Sequence, residues 1–315
     1  MLVLMVGLAG CDHECGGMHG PACVDTSPSE TWTDTGPAPH PHYSSVGGWT
    51  EVSTGWWHTC GIDGDGITRC WGWDGNGETD VPDDELSFSS LAAGWYTTCG
   101  ITSGKYVCWG YPGGMYEAGT AQNEAISVGQ YTVCEYAADG RAKCSYFGPS
   151  DDDFGQSEVP DGNYTDVSTG GYHTCAVNSD GAVVCWGAGK GEGGTYDFGQ
   201  STPPTGTFVH VSAGDWHACA LAADGSITCW GDDAAGQSTP PDGVFVQVSA
   251  GHWHTCAIDA SGAVVCWGDD SLGQCSPPEG TFTSVTAGGD HACALDTDGV
   301  VRCWGDGYDG ETMPP

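Results

Sequence analysis

Fourteen of the eighteen cysteines stand in seven pairs, nine or ten residues apart. The pairs are Cys60 with Cys70, Cys99 with Cys108, Cys134 with Cys144, Cys175 with Cys185, Cys219 with Cys229, Cys256 with Cys266 and Cys293 with Cys303. Two thiols at a fixed spacing can close a disulfide or share a metal ion. Structural zinc sites usually draw cysteines from about two to four positions apart, which these pairs do not offer, so they read as disulfides. Five histidines stand two residues before a leading cysteine: His58, His173, His217, His254 and His291. One per repeat in equivalent places would spread them round a ring, too far apart to share an ion. Their expected role is to hydrogen-bond loop backbone inside their own unit. Asp63, Asp65 and Gly66 open like a calcium loop, but the glutamate that closes such a loop is missing, and a turn is the better reading. No nucleophile–base–carboxylate set, phosphate-cradling loop or dense metal cluster can be picked out, and no cofactor is implied. A catalytic site would have to be assembled in a channel from one residue per repeat.

The elements that position the cysteines repeat with them. HTCAVNSDGAVVCWG (His173 to Gly187), HACALAADGSITCWG (His217 to Gly231), HTCAIDASGAVVCWG (His254 to Gly268) and HACALDTDGVVRCWG (His291 to Gly305) are the clearest copies. HTCGIDGDGITRCWG (His58 to Gly72) is a fifth, and looser copies begin at Thr97 and Thr132. Leading cysteines recur every 35 to 44 residues, a period of propellers and solenoids. Each copy reads as strand, turn, strand. Glycine closes the three-residue turn at Gly66, Gly140, Gly181, Gly225, Gly262 and Gly299, where a left-handed conformation is required. Pairing Asn178 with Ala182 across that turn sets Cys175 opposite Cys185, at a site where Cα atoms approach to about 4.5 Å, within disulfide reach. One copy tests the register. Its cysteines are nine apart, its loop is the two residues Ser103-Gly104, and Cys99 again falls opposite Cys108. With an apolar stretch before each hairpin and no helical periodicity, the expected fold is all-β: a seven-bladed β-propeller over residues 47–315, with one cross-strand disulfide per blade. The tryptophans after the second cysteine (Trp71, Trp109, Trp186, Trp230, Trp267, Trp304) are expected to pack between blades.

Two positions break the repetition. The residue before the histidine reads Trp57, Tyr96, Tyr131, Tyr172, Trp216, Trp253 and Asp290, and the one before that Trp56, Trp95, Gln130, Gly171, Asp215, His252 and Gly289. Scaffold positions recur, whereas recognition positions are free to differ. Tyrosine and tryptophan anchor interfaces because they supply large, stiff contact area. Trp57, Tyr96, Tyr131, Tyr172, Trp216 and Trp253, with Trp56 and Trp95 beside them, are therefore the candidate binding face for a protein partner. The competing structural role for these rings is wedging between blades. A propeller lyase or hydrolase with a channel site is the rival function, and glycan stacking a third.

The phrases resemble the regulator of chromosome condensation repeat, through Ala250-Gly251, His254, Ala257-Ile258, Gly262, Trp267-Gly268 and Gly273-Gln274 and their equivalents. The short blades look similar to those of the propeller-type β-lactamase-inhibitory protein. The resemblance implies a propeller, not an activity, since the family includes an exchange factor docked on chromatin, inhibitors and others. The paired cysteines depart from the usual repeat and suggest a version stapled for an oxidising compartment.

Forty-two acidic residues against six basic ones give a net charge of −36. Nucleic-acid binding relies on lysine and arginine to neutralise phosphates, so that class is excluded. The first eleven residues form an apolar run ending Leu8-Ala9-Gly10-Cys11, which resembles a lipoprotein signal (residues 1–11) with Cys11 as the lipidated residue. Residues 12–46, rich in Pro, Ser, Thr, Gly and His, read as a flexible tether in which Cys15 pairs with Cys23. That leaves Cys275 as the free thiol. The expected protein is an exported bacterial envelope lipoprotein or extracellular protein, monomeric, touching membrane only through its lipid.

Overall fold

The computed structural model describes residues 48–82, 86–111, 116–118, 123–189 and 196–315, and a two-residue strand at His42–Tyr43. Seven antiparallel sheets, one per repeat, form the blades of a β-propeller. The inner strands of blades 1 to 7 are Glu51–Thr54, Ser90–Ala93, Asn123–Val128, Tyr164–Thr169, His210–Ala213, Phe245–Ala250 and Phe282–Ala287. The middle strands are His58–Ile62, Thr97–Thr102, Thr132–Ala137, His173–Asn178, His217–Leu221, His254–Asp259 and His291–Asp296. The outer strands are Thr68–Gly72, Lys105–Gly110, Ala142–Tyr146, Val183–Gly187, Ile227–Gly231, Val264–Gly268 and Val301–Gly305. Tyr116–Ala118 adds a fourth strand to blade 2 and His42–Tyr43 a fourth to blade 7. The proposed signal, Cys11, Cys15, Cys23 and the rest of the 12–46 segment apart from His42–Tyr43 lie outside the described residues.

The hairpin register follows from its loops. Asn178 N–H donates to the Ala182 carbonyl and Gly181 N–H to the Asn178 carbonyl, with Gly181 at φ 81°. Cys175 then sits opposite Cys185. In the short hairpin Ser103 (φ 53°) and Gly104 (φ 75°) make the turn, and Cys99 sits opposite Cys108. All seven pairs are disulfides joining middle to outer strand, with Cα–Cα separations of 4.0 to 4.1 Å. Cys275 is the free cysteine among the described residues. Its thiol donates to the Asp269 carbonyl, and burial, with Asp270 and Asp269 adding, pushes it up to about 12.

Core side chains gather between blades. Ile258 and Val264 of blade 6 pack with Phe282, Val285 and Trp304 of blade 7, and each of the other six clusters likewise joins two neighbours. A middle strand is buried on both faces, as in His58–Ile62, so an isolated blade would expose an apolar face on each side. The Gly-Gln and Gly-Glu motifs are the clamps. The Gln237 carbonyl of blade 5 accepts from Trp267 Nε1 (2.9 Å) and Thr255 Oγ1 (3.0 Å) of blade 6, and the carbonyls of Glu78, Gln156, Gln200 and Gln274 hold the next blade's tryptophan in the same way.

The histidines do not bond loop backbone within their own blades, contrary to expectation. His58, His217 and His291 direct Nε2 at a threonine hydroxyl of the next blade: Thr98 (2.8 Å), Thr255 (2.8 Å) and Thr59 (2.9 Å). For His173 and His254 the facing residues are Ala218 and Ala292, and both ring nitrogens lack a hydrogen-bond partner. Burial is total, and it lowers the five rings to about 3 or 4, so they are neutral.

Blades 1 and 7 close the ring with more than side-by-side packing. Trp49, Val52 and Trp71 cluster with Leu295 and Val301, and Thr54 Oγ1 meets Thr286 Oγ1 at 2.8 Å. In addition, His42–Tyr43 pairs with the outer strand of blade 7, His42 opposite Cys303. From the other end of the chain, the Glu311 carbonyl accepts from Trp71 Nε1 (2.7 Å) and Thr59 Oγ1 (3.2 Å) of blade 1.

Candidate functional site

The turn from inner to middle strand begins with a glycine in every blade: Gly55, Gly94, Gly129, Gly170, Gly214, Gly251 and Gly288. A Cβ on any of the seven would fall on the carbonyl oxygen of the next glycine round the ring. Only glycine permits that approach, and it draws the seven turns together at one end of the central channel. Trp56 N–H donates to the Gly94 carbonyl (3.2 Å) and His252 N–H to the Gly288 carbonyl (3.1 Å), stitching neighbouring turns.

The two irregular positions leave this ring in different directions. The residue just after the glycine turns to the axis: Trp56, Trp95, Asp215, His252 and Gly289 all line the central cavity of about 190 Å³. The next residue lies out along the face, where its carbonyl accepts from the first residue after the outer strand, as Trp57 does from Trp73 N–H at 2.8 Å. Axial residues that looked unrelated in sequence fit one another by size. A side chain at Gly289 would overlap the Trp56 indole, and one at Gly171 would press on Asp215.

The structure brings all eight candidate aromatics onto one face, seven of them in continuous ring contact. Trp56 stacks on Trp57 (4.2 Å between centroids) and meets Trp95 (3.8 Å), and Trp57 and Trp95 both reach Tyr96. Tyr96 contacts Tyr131 (6.2 Å), and Trp95 crosses the axis to Tyr172 (6.3 Å), which stacks on Trp216 (4.8 Å). Trp253 joins through His252, 4.7 Å from it and 5.2 Å from Trp56. Tyr172 is buried and the other seven are partly exposed. The ring contacts run along the face from one of these aromatics to the next.

Sequence reasoning missed the second tier of this face. The first residue after the outer strand is Trp73, Tyr111 and Phe147 in blades 1 to 3, Ala188 in blade 4, and Asp232, Asp269 and Asp306 in blades 5 to 7. Trp73 contacts Trp57, Tyr111 lies between Tyr96 and Tyr131, and Phe147 contacts Tyr131. Tyr196 stacks on Tyr172 (4.7 Å) and on Trp216 (5.3 Å), with Phe154 against Tyr196 and Phe198 against Trp216. The face is thus aromatic over blades 1 to 4 and rimmed by carboxylates over blades 5 to 7. Tabulating that one repeat position would have separated blades 1 to 3 from blades 5 to 7; the aromatics of blade 4, Tyr196 and Phe198, come from later in its exit loop.

At the axis, Asp215 takes a 2.6 Å hydrogen bond from Trp95 Nε1 on Oδ1, across 120 residues of sequence. Its Oδ2 has no hydrogen-bond partner, and His252 Nε2 stands 3.6 Å away. Burial pushes Asp215 up to about 8; the Trp95 bond opposes this and Asp290 adds to it. Burial lowers His252 to about 3, helped by His254. Among the described residues, no cluster of three or more histidine, cysteine or acidic side chains could hold a metal ion.

Glycine ring, interblade tryptophan clamp and Gly-Gln motif together match a known repeat at residues 164–191, 208–237, 245–274 and 282–311. Blades 4 to 7 carry the regulator of chromosome condensation (RCC1) repeat. Blades 1 to 3, outside the match, are those whose exit positions are Trp73, Tyr111 and Phe147. Solved RCC1-type and related propellers superpose on the chain. The ectodomain of the receptor kinase CR4 from Physcomitrella patens is 24% identical, with 84% of this chain and 75% of that one covered at a TM-score of 0.67. The CRINKLY WD40 ectodomain of the Arabidopsis thaliana receptor kinase ACR4 is 22% identical, covering 86% and 99% at a TM-score of 0.67. Prp20p from Saccharomyces cerevisiae, described with its binding to Gsp1p and histones, is 16% identical, covering 84% of each chain at a TM-score of 0.60. These likenesses establish the fold. No curated protein matches the sequence significantly.

Proposed function

We propose that this RCC1-type propeller is an exported, non-enzymatic module that captures a protein partner on its aromatic face. The observation that carries the reading is the contrast within each turn. The glycine and the histidine-strand positions repeat for steric reasons, while the two residues between them differ and supply a continuous aromatic surface with Trp73 and Phe198 each 43% exposed beside it. Contiguous apolar surface of this kind marks interaction sites. The acidic rim over blades 5 to 7 favours a partner that presents basic groups beside apolar ones. That Prp20p is described with protein partners agrees with a binding role.

Export rests on separate support. Seven disulfides form and persist in oxidising compartments, and Leu8-Ala9-Gly10-Cys11 supplies a lipid attachment sequence. Cys11→Ser is expected to leave the protein unprocessed or unanchored on fractionation. Cytosolic protein with Met1 retained would refute export.

The binding test uses the full chain as bait in a native envelope extract. Trp253, whose ring contact is His252, is the cleanest probe. Trp253→Ala is expected to weaken capture by roughly 2 kcal/mol with disulfides and melting temperature retained. A steep loss of stability with unchanged capture would make the rings packing elements and place the site elsewhere.

A further inference from the structure

We infer that the mouth of the central channel is a binding site for a primary alkylammonium, delivered as a lysine side chain of the partner. This rests on the aromatic face being the partner's docking surface, and it assigns the chemistry at the centre of that face. Asp215 is 6% exposed and lines the cavity, yet its Oδ2 accepts no hydrogen bond. His252 Nε2, at 3.6 Å, is beyond hydrogen-bond range. A buried carboxyl oxygen left without a donor is costly. The lining residues include no lysine or arginine, and Asp290 is the other carboxyl that acts on Asp215. Among the cavity's lining residues no cationic side chain is placed to partner Oδ2, and a bound cation would hold the carboxyl ionised.

The surroundings select the kind of cation. Trp56 and Trp95 stand at the cavity wall, and indole faces attract cations. Asp215 Oδ1 is already committed to Trp95 Nε1, so one carboxylate oxygen is available. A guanidinium gains its advantage from two parallel bonds to both oxygens of a carboxylate, and that arrangement is blocked. A compact ammonium needs only a point contact and can keep water on its other protons. The cavity, about 190 Å³, far exceeds the roughly 10–15 Å³ that one water requires, and it takes a linear alkyl stem. Trp56 and Trp95 belong both to the cavity wall and to the aromatic network, so a side chain held at Asp215 would leave its backbone on the face.

The test titrates full-length protein with Nα-acetyl-lysine amide, following tryptophan emission and saturation transfer from indole protons to the ligand's methylenes. Its Nε-acetylated form, of the same stem but uncharged, and Nα-acetyl-arginine amide are the comparison ligands. Binding of the lysine amide, with weaker binding of the arginine amide and none of the acetylated form, is expected. Asp215→Asn should weaken it by roughly tenfold or more. Trp95→Phe, which keeps a ring but deletes the N–H, gives a second variant should Asp215→Asn misfold, and it too should weaken binding. Equal binding of the acetylated ligand, tighter binding of the arginine amide, or unchanged binding by a folded Asp215→Asn would each overturn the inference. Partner capture is measured alongside. If lysine amide fails to bind while Trp253→Ala still reduces capture, this inference falls and the docking surface stands.

Discussion

Glu311 occupies the clasp that closes the ring, at a position where blades 3 to 6 have Gln156, Gln200, Gln237 and Gln274. In blades 5 and 6 the amide works in two directions. Gln274 Oε1 accepts from Leu272 N–H (2.9 Å) while Nε2 donates to Asp269 Oδ2 (2.9 Å), and Gln237 bonds Ala235 and Asp232 alike. Glu311 keeps the first bond, Oε2 accepting from Asp309 N–H at 2.9 Å. Its second oxygen cannot donate when ionised, and the residue five positions back is Asp306. Burial, then the Asp306 and Asp309 charges, push Glu311 up to about 7, against the pull of backbone hydrogen bonds.

A carboxyl whose folded value lies above its unfolded 4.5 holds its proton better in the native state. Its contribution to stability is full below about pH 4.5 and is lost as pH rises through 7. A pKa unit is worth 1.36 kcal/mol, so the rise corresponds to about 3 kcal/mol as an upper bound, and water at the rim of the clasp reduces it to roughly 1–2 kcal/mol. Glu311→Gln restores the amide donor toward Asp306 and removes the penalty. Melting of wild type and variant should coincide within about a degree at pH 5 and diverge by pH 8.5, where the variant should melt higher by about 2–8 °C, at 2–4 °C per kcal/mol for a chain of this size. Because Asp215 and the histidines titrate in both proteins, the difference between the curves isolates Glu311. A constant offset at both pH values, or a less stable variant at pH 8.5, would refute the reasoning.

Ala218→Thr and Ala292→Thr should each stabilise the fold by about 1 kcal/mol, since the hydroxyl would meet the unpartnered rings of His173 and His254 as Thr98, Thr255 and Thr59 meet theirs; urea midpoints that fall would show the sites to be too tight. Acid should act steeply, because five buried histidines lowered to about 3 or 4 bind fewer protons folded than unfolded. Stability is then full above about pH 6.5 and declines as pH falls toward 4; a urea midpoint that is flat between pH 7 and 5 would contradict the burial of these rings.

The hairpins were legible because everything that sets them lies within a dozen residues. Turn length fixes register, register fixes which cysteines meet, and the short loop at Ser103-Gly104 exposes the rule by changing both together. The histidine contacts were misread because the partner belongs to the next blade, and a single repeat does not contain it. A signal was present: the residue after the histidine is threonine at Thr59, Thr174 and Thr255 and alanine at Ala218 and Ala292, which makes sense only if it faces something outside its own unit. The aromatic exit loops were harder to register, since their lengths differ between blades. The bond from Trp95 to Asp215 was out of reach altogether, because it depends on the curvature that brings blades 2 and 5 across the axis.

That geometry also says why the axial position is so irregular. Along a blade or between adjacent blades, a side chain meets equivalent neighbours in every repeat, so one residue can serve in most of them, as the histidine does in five blades and the tryptophan in six. At the channel mouth, turns from blades far apart in sequence converge, and seven copies of one large residue could not all enter. Trp56 requires Gly289, Asp215 requires the small Gly171, and Trp95 requires Asp215 for its N–H. Symmetry is therefore broken by crowding before any ligand is considered. Crowding explains the sizes of these residues but not their polarity, since an apolar set would fill the same space without leaving a carboxyl oxygen unpaired. The unpartnered carboxyl oxygen at the centre of an aromatic face is the feature that packing leaves unexplained, and a cation from outside is what would complete it.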